Sequence, residues 1–255
     1  MPEDAIRVLY AGDGETINYL VTKGMSFYMA GGYQDESMFL IGALAADPAI
    51  EVVHIKPGES LETFPRTIEE LSTFDVCLLS DIGADTILFY MDRDKVPMGP
   101  DRIKLLERWC RQGGGLGMIG GWSSFGGWGG QARWHDTPVE RCLPVLIKDG
   151  DDRVETVEGI EPQPIDMQHP IIAGLPWDWS EQILYLGYNR FRAKPEARVL
   201  AKVGDDPLLV VGQCDQGRSL AYASDCAPHW AGSMLKWPGN PQFWVRCVRW
   251  LAGRL

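Results

Sequence analysis

The sequence lacks several features that would place a chain in a functional class at once. It has no Cys-x-x-Cys pair, no internal repeat, no low-complexity segment and no charged tail. No apolar run reaches the roughly 18 residues that span a bilayer, so we expect no membrane-embedded segment. The six cysteines are scattered singly, and this pattern favours reduced, packed thiols over a disulfide framework.

Basic residues are also scarce. The chain has 24 Lys and Arg against 35 Asp and Glu, for a formal net charge of -11. This balance argues against nucleic acid and anionic membranes as partners. The N-terminus is acidic, with neither a basic region nor an apolar segment of the kind that directs export. We therefore expect a cytoplasmic protein.

What the chain does contain is typical of a globular domain. Its 255 residues are 45% hydrophobic, which is enough to bury a substantial core. No segment rich in Pro, Gly or Ser divides the sequence, so we expect one domain over residues 1–255. The ten tryptophans are many for this length, and several stand beside glycine, which suggests an aromatic-lined surface or pocket.

Apolar segments alternate with amphipathic ones. Predicted strands are 5–12, 50–57, 75–83 and 115–121, and predicted helices are 35–47, 67–74 and 99–115. Later strand-like segments with short turns are 153–160, 198–204, 207–213 and 218–226, followed by a helix at 241–253. Near-continuous apolar strands separated by helices predict a mostly parallel sheet covered on both faces, with antiparallel strands added in the C-terminal half.

In such sheets, ligands bind beyond the carboxyl ends of the strands. The residues that follow the first, third, fourth and late strands are therefore the candidate site. They are Gly12, Asp13, Glu15, Asp81, Gly120, Gly121, Trp122, Ser123, Asp225, Cys226 and His229. The sheet geometry should bring these groups together although they are far apart in sequence.

Several segments in this order resemble a known family. They include "LLSDIGADT", "GGGLGMIGGWSSFGG", "LGYN", "DPLLVVG" and "SDCAPHW". The chain is similar to the glutamine amidotransferase-like proteins of the class I amidotransferase superfamily, which also includes ThuA-like proteins. The resemblance implies a flavodoxin-like three-layer αβα fold. It says little about the reaction, because most close relatives are cytoplasmic proteins of unassigned activity.

The resemblance also implies where a nucleophile would lie. A working class I amidotransferase carries Cys on the turn after the fourth strand and pairs it with a His-x-Glu segment after a late strand. Here the turn position is Gly121 or Trp122, and Ala231 follows His229 where Glu would stand. We therefore do not expect glutamine hydrolysis by the usual route.

The turn itself leaves two interpretations open. Consecutive glycines can leave backbone N–H groups free to hold an anion or a carbonyl oxygen, or they can simply permit the bend. Ser123 and Ser124 could act as nucleophiles only beside a base, and bonds to turn amides are the simpler role for them.

Four residues are the candidate catalytic groups: Cys226, His229, Asp81 and Glu15. A Cys near a His can act as a thiolate, and two carboxylates in one cleft can act as acid and base. The alternative is structural, with Cys226 packed, Asp225 capping the following turn, Asp81 capping the next helix and His229 packed against Trp230. A metal held by Asp, Cys and His is a further alternative, but we predict none, and the sequence indicates no particular cofactor.

The remaining candidates, Gly12, Asp13, Gly120, Gly121, Trp122, Ser123 and Asp225, would bind substrate. The Trp-rich loop at 125–136 could act as a lid or a partner surface, or Trp128 and Trp134 could pin it to the core. We expect a protein that binds or acts on a small polar metabolite, with amide-type hydrolysis as the first choice of reaction. The alternative is a non-catalytic binding or assembly module, and in either case we expect a homo-oligomer.

Overall fold

The computed structural model describes residues 5–90 and 98–255. Its strands are β1 Ile6–Gly12, β2 Gly14–Lys23, β3 Ser26–Asp35, β4 Ile50–Ile55, β5 Val76–Ser80, β6 Gly115–Ile119, β7 Val145–Leu146, β8 Arg153–Ile160, β9 Pro162–Pro164, β10 Tyr185–Asn189, β11 Arg192–Ala193, β12 Arg198–Val203, β13 Asp206–Cys214 and β14 Gly217–Tyr222. Its α-helices are α1 Met38–Leu44, α2 Pro57–Thr63, α3 Ile68–Leu71, α4 Ala84–Leu88, α5 Arg102–Arg111, α6 Pro138–Cys142, α7 Pro228–Ala231 and α8 Asn240–Leu251.

One eight-stranded sheet organises the fold. Its strand order is β4-β1-β5-β6-β14-β13-β12-β9. The five strands from β4 to β14 run parallel, and β13, β12 and β9 continue the sheet antiparallel. The predicted flavodoxin-like class, a parallel sheet with antiparallel strands added by the C-terminal half, is confirmed.

Helices cover both faces of this sheet. On β14, consecutive side chains must point to opposite faces. A Cβ at Gly217 would lie 2.0 Å from the carbonyl oxygen of Cys110 in α5, whereas the guanidinium of Arg218 donates to the carbonyl oxygen of Trp250 in α8. The central strands β5 and β6 are buried along their whole length, which explains why they read as continuous apolar runs.

The cysteines correct one prediction. Cys142 and Cys214 form a disulfide across 72 residues, with 5.1 Å between their Cα atoms, so the expectation that all six cysteines are reduced is wrong. Cys77, Cys110, Cys226 and Cys247 are free and buried. The pairing arises because α6 and the end of β13 meet only in the folded chain, and single cysteines without local spacing give no sign of this.

The segment at 14–35 was not predicted as strand. It forms an antiparallel hairpin, β2–β3, that pairs with itself and not with the eight-stranded sheet. Within residues 5–90 and 98–255, no helix has the length and apolar character needed to cross a membrane. The acidic start of the chain, residues 1–4, lies outside the described residues, and the single-domain expectation stays a prediction.

Candidate functional site

The carboxyl ends of β1, β5, β6 and β14 meet at one edge of the sheet, as expected for adjacent parallel strands. Asp13 follows β1 and Asp81 follows β5, each with a positive φ, 49° and 44° respectively. Non-glycine residues seldom adopt this backbone, and it tends to occur at functional sites. Two such aspartates on neighbouring strands mark this edge as the candidate site.

Asp13 lies at the bottom of the site and is almost fully buried. Its carboxylate accepts hydrogen bonds from the hydroxyls of Tyr10 and Ser80, the latter at 3.1 Å, and from the Cys226 thiol at 3.3 Å. Burial, followed by the charge of Asp225, raises the pKa of Asp13 to about 7. This carboxyl is therefore partly protonated at neutral pH.

Asp225 continues the cluster and is also buried. One of its oxygens accepts the N–H of Ala227 at 2.9 Å, and the other lies 3.6 Å from Nδ1 of His229. Burial first, and then the charge of Asp81, raise the pKa of Asp225 well above its usual value. Asp225 thus caps the turn that precedes α7 and also contacts the imidazole.

Cys226 lies behind these carboxyls. Its thiol is buried, 3.6 Å from the Ser80 hydroxyl and 3.9 Å from that of Tyr10. Burial, and then the charges of Asp13 and Asp225, raise the pKa of the thiol well above its usual value. Because a nucleophilic cysteine needs a lowered pKa and access to substrate, this environment favours the packing role over the thiolate role.

Asp81 and His229 stand closer to solvent. Asp81 is half-buried and accepts the Ser123 N–H, while its own N–H donates to the Ser124 hydroxyl at 3.0 Å. Burial and the charge of Asp13 raise the pKa of Asp81 to about 7, and the nearby His229 opposes that rise. Burial lowers the pKa of His229, against the charge of Asp81. The two groups therefore share one electrostatic environment, as the sequence predicted.

Glu15 lies at the rim, exposed at the start of β2. Its charge acts on both Asp81 and His229, so the structure brings this predicted residue to the same edge of the sheet. Glu36, which follows β3, adds a further negative charge near Asp225 and His229. Sequence reasoning missed Glu36 because the hairpin that returns it to the cleft was not recognised.

The glycine turn after β6 has no room for a side chain. Gly121 has φ 152°, and a Cβ there would lie 2.6 Å from Oδ1 of Asp81. The N–H of Gly121 donates to Oδ1 of Asn189 at 2.9 Å, and that of Gly120 donates to the carbonyl oxygens of Tyr222 and Ser224. Since the Ser123 N–H binds Asp81, these amides are not free for an anion. The geometry favours the interpretation that the glycines permit the bend.

Two buried side chains outside the predicted site, Asn189 and Asp152, hold this turn. Asn189 donates from Nδ2 to the carboxylate of Asp152 at 2.8 Å, and Asp152 accepts the N–H groups of Gly126 and Gly127, each at 2.8 Å. Asp152 is 1% exposed, so this carboxylate belongs to the protein interior and not to a solvated acidic turn.

Aromatic side chains form one wall of the site. Trp122 meets His229 edge-on at 4.4 Å between ring centroids and Trp128 at the same distance. Trp122 and Trp128 are partly exposed, and Nε1 of Trp122 donates to Glu155. Trp134, by contrast, is fully buried and donates to the carbonyl oxygen of Ile82. Trp134 thus pins the loop, while Trp122 and Trp128 present ring surface beside the carboxyl cluster.

Two groups of side chains have the spacing of metal ligands. The ligand atoms of Asp13, Asp225 and Cys226 lie within 4.8 Å of one another, and so do the sulfurs of Cys110, Cys142 and Cys214. In the second group, two sulfurs are already joined as the disulfide. The first group combines two carboxyls with a protonated thiol.

Comparison with known proteins identifies the family. A sequence profile of the family described as "Putative glutamine amidotransferase" matches residues 7–253. The chain belongs to this glutamine amidotransferase-like family. No curated protein matches it significantly.

Solved structures extend the family assignment. Cytoplasmic proteins STM3548 and STM1381 of Salmonella typhimurium are each 32% identical to the chain with a TM-score of 0.90, over 96% of the chain and 98% and 99% of their own lengths. A ThuA-like protein from Parabacteroides merdae, 12% identical, superposes with a TM-score of 0.58 over 97% of the chain and 90% of its own length. This more distant likeness concerns the fold alone.

Proposed function

We propose that the cleft carries out acid–base chemistry on a small polar metabolite, with hydrolysis of an amide or related bond as the reaction class. His229 is the base that takes a proton from water, and Asp81 is the acid that gives a proton to the leaving group. Asp13 and Asp225 are positioning residues that hold and tune this pair. Water attacks directly, without a thiol intermediate.

The observation that carries the proposal is the opposed electrostatics of Asp81 and His229. Burial raises the pKa of Asp81 to about 7 and lowers that of His229. Near neutral pH the carboxyl therefore keeps a fraction of its proton while the imidazole is largely neutral, which is the pairing that an acid and a base require.

The walls of the cleft support a particular ligand class. Asp81 and the rim residue Glu15 disfavour phosphates and carboxylates and accept hydrogen bonds from hydroxyl or amino groups, with the buried Asp13 and Asp225 behind them. The partly exposed rings of Trp122 and Trp128, over which the Arg153 guanidinium already lies, suit the apolar face of a sugar-like compound. The substrate is thus a neutral or cationic metabolite rich in hydroxyl or amino groups, encountered in the cytoplasm, since both Salmonella relatives are named cytoplasmic proteins.

Binding without catalysis is the second candidate, and a specific observation favours it. The N–H groups of Gly120, Gly121 and Ser123 all have partners within the protein. They could not stabilise a developing oxyanion without giving up those bonds. A site of this kind would recognise the metabolite and release it unchanged.

The proposal is tested by incubating the purified chain with a library of small amides, amines and polyols and following their conversion by mass spectrometry. Asp81→Asn and His229→Asn should each lower turnover at least tenfold, because acid–base groups commonly contribute about 10²–10⁴-fold. The rate should be highest between the two pKa values. Asp178→Asn, an exposed carboxyl on a turn outside the cluster, is the matched control and should leave turnover unchanged.

Two outcomes separate the candidates. Full turnover in both Asp81→Asn and His229→Asn would exclude the acid–base assignment. If compounds stabilise the wild-type protein against heat, lose that effect in Asp81→Asn and are recovered intact, the binding role replaces the catalytic one.

A further inference from the structure

The β2–β3 hairpin exposes more large apolar side chains than any other element in the described part of the chain. Its ten-residue strands pair along their full length, and every residue of β3 is exposed. Seven large apolar side chains of the hairpin are 46–100% exposed. They are Tyr19, Leu20, Met25, Phe27, Tyr28, Met29 and Tyr33.

The register places these side chains on both faces of the hairpin. Leu20 pairs with Met29 on one face, and the next pair along, Val21 with Tyr28, lies on the other. An antiparallel sheet that packs on its own core usually has one polar face. A hairpin that is apolar on both faces, and has only two strands, is marginally stable in water. The hairpin therefore requires another protein surface to pack against.

The exposed area is sufficient for a stable interface. Taking roughly 200 Å² for a large side chain, the seven together leave about 900 Å² in water. A standard protein interface buries about 800 Å² on each partner. The hairpin thus exposes about as much apolar area as one partner of a standard interface buries, and because this area is divided between two faces, the partner must contact both.

Charge indicates which partner fits. The whole chain carries a net charge of -11, so two copies repel each other over most of their surfaces. Residues 14–35 include two acids, Glu15 and Asp35, and one base, Lys23, and are thus nearly neutral. The hairpin is therefore a surface where a second copy can approach without that repulsion, whereas a basic partner would be drawn to the acidic surface elsewhere.

We propose that residues 14–35 form a dimerisation arm that packs against the same arm of a second copy of this chain. A contact of one patch with itself closes as a twofold dimer. The arm starts directly after Asp13 and returns to Glu36, so the dimer contact is continuous with the rim of the cleft. The inference is independent of the reaction assigned to that cleft.

Sedimentation velocity of the full chain at micromolar concentration tests the proposal. The wild type should have a sedimentation-derived mass of twice the 28.4 kDa of one chain. Leu20→Glu combined with Met29→Glu alters one face, and Tyr28→Lys alters the other. Each should weaken self-association at least 100-fold and give monomers. Val157→Glu, at a position 87% exposed on β8, is the matched control and should remain dimeric.

Far-UV circular dichroism and thermal unfolding of each variant establish that the sheet is intact. A larger assembly that the arm variants reduce to monomers would also support self-association through the arm. A monomeric wild type would overturn the proposal. Arm variants that keep the wild-type mass would overturn it equally. These readouts do not depend on turnover, so they succeed or fail separately from the proposed function.

Discussion

Replacing Asn189 by alanine should lower the free energy of unfolding by about 3–5 kcal/mol. The amide side chain is fully buried and joins the Gly121 N–H to the Asp152 carboxylate. Its loss leaves one buried donor without a partner and removes a hydrogen bond to a buried charge. Equilibrium unfolding in urea, followed by tryptophan fluorescence, measures the change.

The exposed amide Gln168 provides the control, and Gln168→Ala should change the free energy of unfolding by no more than about 0.5 kcal/mol. Asn189→Asp should be at least as destabilising as alanine, because it places a second carboxylate against Asp152. A cost below about 1 kcal/mol for Asn189→Ala would mean that water or a rearranged loop satisfies these groups. In that case the hydrogen bonds of Asn189 to Gly121 and Asp152 are not what fixes the glycine turn.

The second large effect is a pH dependence of stability that originates at Asp13. Its pKa is about 7 in the folded protein against 3.8 for an unperturbed carboxyl. Between those values the folded chain binds more protons than the unfolded chain, so stability falls as the pH rises. The full difference corresponds to roughly 4 kcal/mol for one carboxyl. The contribution of Asp13 to the free energy of unfolding is fully present below pH 4 and is lost as the pH rises through 7.

Asp13→Asn removes the charge and keeps the size of the side chain. We expect the difference in the free energy of unfolding between the variant and the wild type to grow by about 2–4 kcal/mol from pH 5 to pH 8, in favour of the variant. Only the wild type must ionise a buried carboxyl over this range. Urea unfolding at each pH unit measures both proteins, and the difference cancels the other titrating groups. Stability curves that run parallel over this range would show that Asp13 ionises normally in the folded chain.

Much of the architecture could be read from the sequence because its signals are local. The buried strands β5 and β6 are continuous apolar runs, and α8 has apolar residues at helical spacing. Parallel strands necessarily bring their carboxyl ends to one edge, so the sequence alone predicts that Asp81 and His229 lie at the same edge of the sheet. This argument needs only the order of elements and the direction of the strands.

Other features depend on contacts that no local pattern records. The hairpin at 14–35 has apolar residues on both faces. It therefore lacks the alternation of apolar and polar residues along the chain that signals a strand. The Asn189–Asp152 bridge and the Cys142–Cys214 disulfide each join residues far apart in sequence. The use of the Gly120 and Gly121 amides also depends on partners from other strands, which is why the role of the turn stayed open.

The crowding between Gly121 and Asp81 ties together two positions 40 residues apart along the chain. Any larger residue at 121 would push against a carboxylate that the Ser123 amide already holds in place. A cysteine there would need a smaller or displaced residue at 81 as well. In the descent of this family, a side chain gained at 121 should therefore be accompanied by a change at 81.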